Sequence, residues 1–102
     1  MRTKIYKIIS IELNILKTKP PTLEILANGK TNTSGWSNPE LVARQYKKEP
    51  DDGIYDYDFV AKKPEDISAD VITPIDIKEI TRRIPQIGVR IHAESNSLEK
   101  RL

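Results

Sequence analysis

A chain of 102 residues, 37% hydrophobic and 31% charged, is sized for one soluble domain with a thin core. The absence of cysteine excludes a disulfide framework and any cysteine-based zinc or redox site. The net charge is only +2, and basic residues fall in scattered pairs (Lys47-Lys48, Lys62-Lys63, Arg82-Arg83) rather than the clustered face of a nucleic-acid binder.

The charge is nonetheless uneven. Residues 1–50 hold nine Lys/Arg against four Asp/Glu, and residues 51–102 hold eight against eleven. At the start, Arg2, Lys4 and Lys7 precede a largely apolar run over 8–16, which superficially resembles a secretory leader. Glu12 and Asn14 interrupt that run, and no small-residue cleavage site follows. No stretch approaches the roughly 20 apolar residues of a membrane span. The expected location is cytoplasmic, with no membrane or nucleic-acid partner.

In chain order, residues 9–15 alternate apolar and polar, and their isoleucines are β-branched, which suits a pleated surface. This predicts a strand that ends at Lys19-Pro20-Pro21, since proline cannot donate to a ladder. Leu23, Ile25 and Ala27 repeat the alternation. Asn28-Gly29 follows, two residues tolerant of positive φ, and predicts a hairpin with a return strand from about Lys30. A polar loop over 32–39 carries the only tryptophan, Trp36. Residues 39–46 fit either a short capped helix or a strand; the β character of the rest favours the strand.

The clearest element is residues 54–61, introduced by the turn Asp51-Asp52-Gly53. Tyr55, Tyr57, Phe59 and Ala61 share one face, and Ile54, Asp56, Asp58 and Val60 share the other. Three of the six aromatic residues lie on that first face, which marks a central strand over the core. Residues 71–77 predict another strand, with Pro74 pointing to an edge or bulge. Residues 87–93 predict the last one, and the polar residues 95–102 a frayed tail. The fold expected is all-β: a small antiparallel β-sandwich of immunoglobulin-like type spanning 1–102, with a small closed barrel as the alternative.

Catalytic signals are sparse. The single histidine, His92, sits on a polar strand face with Arg90 and Glu94, and no nucleophile is paired with it in the sequence. Asp56 and Asp58 are about 7 Å apart along a strand, too far to converge on a calcium ion without a loop. No metal or cofactor is therefore expected, and the chain is not expected to be an enzyme. A metal-dependent enzyme built on Asp56, Asp58, His92 and Glu94 would require their strands to be neighbours. Asn32-Thr33-Ser34 matches the glycosylation triplet, which matters only in a secretory context.

The loop over 32–39 has the composition of a recognition loop, one rigid aromatic among small polar residues. Its candidate binding residues are Asn32, Ser34, Trp36 and Asn38, with Arg44, Tyr46 and Tyr55 extending the surface. A non-catalytic binding or accessory module with a protein partner is the reading that follows, either monomeric or as a homodimer.

Three stretches, Gly35-Trp36-Ser37-Asn38-Pro39-Glu40-Leu41, residues 52–61 and residues 88–96, resemble a family of small bacterial proteins of uncharacterised role. The resemblance implies a bacterial source and a shared β fold, and brings no activity. Asn32-Thr33-Ser34-Gly35-Trp36 is also similar to the Asn-Pro-Thr-Thr-Gly-aromatic loop of chagasin-like inhibitors of papain-type cysteine proteases. It is one residue shorter, lacks the proline, and is not accompanied by that family's Gly-x-Gly or Arg-Pro-aromatic motifs. That likeness implies an alternative, inhibition of such proteases through this loop.

Overall fold

The computed structural model describes residues 2–66 and 68–102. Its strands are β1 (Arg2–Lys4), β2 (Lys7–Leu16), β3 (Thr22–Thr31), β4 (Ser37–Ala43), β5 (Ile54–Lys62), β6 (Thr73–Thr81), β7 (Gly88–His92) and β8 (Ser97–Arg101). They form two facing sheets, one of β1, β4, β5, β7 and β8, the other of β2, β3 and β6. The fold is an all-β sandwich, and the sheets do not close into a barrel.

The alternating stretch 54–61 is the central strand. Tyr57 and Phe59 are buried with Ala61, facing Leu23, Ile25 and Ala27 of β3 and flanked by Val89 and Ile91 of β7. One side of β5 pairs with β4; the other is shared end to end by β7, along Ile54–Asp58, and β1, along Val60–Lys62. Gly53, at φ 68°, turns the chain into β5, and its carbonyl accepts the Ile87 amide at 2.8 Å. This positive φ is a conformation that glycine adopts at no steric cost.

Several expectations change. Asn28-Gly29 makes no hairpin: both residues lie inside β3, which pairs with β2 and β6 along its length. The glycine serves close approach, because a Cβ there would collide with Ile5 Cδ1 and lie 2.8 Å from the Lys7 carbonyl oxygen. Residues 39–43 are strand, within β4. Residues 97–101, expected to fray, form β8 against β7. The sandwich is antiparallel except for β5 and β7, which run parallel. The chain leaves β5, builds β6 in the other sheet and returns, the crossover a parallel pair requires.

The first strand also reaches further than its alternation suggests, since β1 and β2 straddle the sheets through Ile5 and Tyr6. At that crossing the Asn96 side chain stands in for a missing strand. Its Oδ1 accepts the Ile8 amide and its Nδ2 donates to the Ile8 carbonyl, both at 2.9 Å. β2 and β8 are thereby held together along one side of the sandwich.

Candidate functional site

The residues singled out in sequence fall into two groups at opposite ends of β5. Ser37 pairs with Lys62, so the Trp36 loop lies at the Lys62 end. Tyr55 lies seven residues back along β5, about 23 Å away at the rise of a strand. Arg44 and Tyr46 belong to that second end, where the Arg44 amide donates to the Asp56 carbonyl. They do not extend the Trp36 surface.

At the first end, the loop is pinned rather than free. The Trp36 indole N–H donates to Thr33 Oγ1 at 2.8 Å, and Thr31 Oγ1 donates to the Thr33 carbonyl at 2.8 Å. Ser34 is tied to Ala69 twice: its amide donates to the Ala69 carbonyl, and its hydroxyl oxygen accepts the Ala69 amide. Gly35, at φ 85°, brings the backbone so near Pro64 that a Cβ would lie 3.1 Å from the proline ring. The tryptophan packs against the core and stays partly accessible. Asn32 and Asn38 are exposed beside it, and Val71 and Ile72, on the segment tied to Ser34, are more than half exposed.

Beside Trp36 is a small cleft of about 70 Å³ lined by Lys4, Tyr6, Asn32, Lys63 and Glu94. These residues come from β1, the crossing into β2, and three separate loops. Nothing in their sequence positions announces the convergence; only Asn32 and Trp36 were legible as candidates.

At the second end Tyr46 and Tyr55 stack with ring centroids 6.3 Å apart, and the Arg83 guanidinium lies 4.8 Å from the Tyr55 centroid. The Tyr55 hydroxyl donates to the Glu49 carboxylate, 2.6 Å from Oε2. That bond, together with burial, raises the Tyr55 pKa. Tyr46 is raised by burial first and by its bond to Asp56 second.

The outer face of β5 and β7 carries a charge lattice. Asp56 Oδ1 accepts from His92 Nε2 at 2.7 Å and Arg90 Nη1 at 3.2 Å, while Oδ2 accepts from the Tyr46 hydroxyl at 2.8 Å. Arg90 reaches on to Glu99 at 3.0 Å, and Asp58 accepts from Arg44 at 3.0 Å with Lys4 nearby at 3.7 Å. Burial pushes the pKa of both aspartates up, but the hydrogen bonds and cations together outweigh it and hold them below the usual carboxylate range.

The strands bearing Asp56, Asp58 and His92 are thus neighbours, as a metal site would require. Their carboxylates are already engaged by cations, and Glu94 lines the Trp36 cleft instead. Among the described residues, no group of three or more potential ligands converges. Among the described residues no helix is long and apolar enough to cross a membrane. The broad groove of about 400 Å³ on the outer face of β2, β3 and β6 contains no aromatic side chain.

The chain matches no protein-family model, no curated protein and no solved structure. The functional reading rests on geometry.

Proposed function

We propose that this protein is a non-catalytic binding module whose contact surface is the end of the sandwich around Trp36. The observation that carries the proposal is a loop fixed at Ser34, Gly35 and Trp36 that still leaves part of an indole accessible. Asn32 and Asn38 add exposed polar groups to the loop, and Val71 and Ile72, on the segment tied to Ser34, add exposed apolar ones. Such a surface is pre-organised: a partner meets a rigid aromatic anchor and does not have to order the loop. The charge lattice on the outer face is assigned a structural role, because each carboxylate in it is matched by a cation or hydroxyl donor. Arg44, Tyr46 and Tyr55 belong to the architecture of the opposite end.

Site-specific photo-crosslinking tests this reading. A crosslinker at position 38 should label one defined protein, and labelling should vanish when Trp36→Ala is added. A crosslinker at position 86, at the far end, should not label it. Equal labelling from both positions, or labelling indifferent to Trp36→Ala, overturns the proposal. A papain-type protease is the first purified partner to titrate, with Trp36 emission and peptidase inhibition as the two readouts.

A further inference from the structure

β6 is an edge strand with a particular symmetry. It pairs with β3 over nine consecutive positions without a bulge, and among the described residues no second strand pairs with it. Pro74 faces Lys30 of β3 and has no N–H, so it must occupy a position whose amide points away from β3. Alternation then sends the backbone groups of Asp76, Lys78 and Ile80 outward as well. The same alternation, carried through β3, turns the Ile8 backbone outward from β2, where Asn96 engages it. The outer edge of β6 is thus a row of backbone donors and acceptors flanked by exposed side chains, with Ile80 52% exposed.

The sequence of this strand, Thr73-Pro74-Ile75-Asp76-Ile77-Lys78-Glu79-Ile80-Thr81, carries opposite charges one residue either side of Ile77 and threonine at both ends, while Ile75 answers Glu79. When two copies run antiparallel about Ile77, Asp76 of each falls opposite Lys78 of the other, and Thr73 opposite Thr81. Pro74 faces Ile80. We propose that this edge joins two copies of the chain in a two-fold dimer, making one continuous six-stranded sheet from two three-stranded ones.

The outward-facing groups fit that register. Asp76 and Lys78 sit at positions that exchange both backbone bonds across the dyad, and their side chains are opposite charges directly paired. The Ile80 amide meets the Pro74 carbonyl of the other copy, and the two apolar side chains cover each other. Proline and lysine commonly protect an edge from pairing. Here the proline removes a donor only at the outer rung, and each lysine is neutralised by an aspartate. A two-fold contact must be self-complementary, and the placement of these charges meets that demand. An unrelated strand would have no reason to match it.

Charge exchange at the dyad is the test, read by sedimentation velocity over a range of concentrations, with Trp36 emission as an independent check of folding. The wild-type chain should show twice the monomer mass as concentration rises. Asp76→Lys places lysine opposite lysine and should be monomeric; Lys78→Asp places aspartate opposite aspartate and should be monomeric too. Mixed in equal amounts, the two should form a heterodimer, and the double exchange D76K/K78D should restore the homodimer. A wild-type chain that stays monomeric throughout, single variants that still self-associate, or a mixture that fails to pair would each overturn the proposal. None of these outcomes depends on the Trp36 surface, so the two readings fail separately.

Discussion

His92 Nε2 lies 2.7 Å from Asp56 Oδ1, across the parallel pair of β5 and β7. The aspartate is held ionised, and a carboxylate only accepts, so Nε2 must carry the hydrogen and Nδ1 is left as the other ring position. Two strands brought together by a crossover through the opposite sheet are thus joined by side chains as well as by the ladder. Asp56→Ala removes the acceptor for His92, Arg90 and Tyr46 together. The expected cost is about 1–3 kcal/mol, measured by urea unfolding at neutral pH.

The same carboxylates set an acid limit. Asp56 and Asp58 have folded pKa values below their unfolded value of about 3.9. Their contribution is therefore complete above that value and is lost as pH falls through the lower folded values. Stability should drop below about pH 4, and the wild-type advantage over Asp56→Ala should shrink there. Unfolding midpoints at a series of acidic pH values check both points. A difference that persists unchanged at low pH would contradict this account.

An alkaline limit should mirror it. Tyr46, Tyr55 and Tyr57 all have raised pKa values, Tyr55 through its bond to Glu49 first and the other two through burial first. A group raised on folding stabilises fully below its unfolded pKa and loses that contribution as pH rises through the folded one. Stability should decline above about pH 10. An absorbance titration of phenolate should show Tyr46, Tyr55 and Tyr57 ionising above that value.

Thr33→Val keeps the shape of the Trp36 loop and deletes the acceptor for the indole N–H. The expected loss is about 1 kcal/mol. Native Trp36 emission, blue of the denatured spectrum yet partly open to acrylamide, should shift red and quench more readily. An unchanged spectrum would mean that the pin at Thr33 does not hold the ring.

Gly29→Ala forces a methyl group against Ile5 and the Lys7 carbonyl, where backbone cannot yield as a side-chain tip would. Overpacking of this kind costs about 1–3 kcal/mol, and thermal unfolding should show it. Were the residue a hairpin glycine, the penalty would instead follow from positive φ, which Gly29 does not have.

That glycine also shows where sequence reading stops. Residues 54–61 were legible because a two-residue period is local and needs no knowledge of neighbours. Asn28-Gly29 permits a hairpin locally, but the reason for the glycine is Ile5, more than twenty residues away. β8 reads as a frayed tail because it covers an edge rather than the core, and of its five residues only Leu98 packs against the core. At the proposed site, Trp36 was conspicuous as the sole tryptophan in a polar loop. Lys4, Tyr6, Lys63 and Glu94 were invisible because they meet only after both sheets form. Arg44, Tyr46 and Tyr55 looked like neighbours of Trp36 in sequence, and the length of a strand keeps them apart.

The shared edge of β5 bears on how the protein is made. Residues 2–4 fill one half of that edge and residues 88–92 the other. A nascent chain that has released β1 through β6 can form the β2–β3 hairpin and the longer-range pairing of β3 with β6, yet half of one edge of its central strand stays bare. The sandwich can close only after β7 and β8 have left the ribosome. Folding should therefore be a late, concerted event, slowed by contacts between distant parts of the chain, and during synthesis Ile54–Asp58 would be the stretch most in need of shelter.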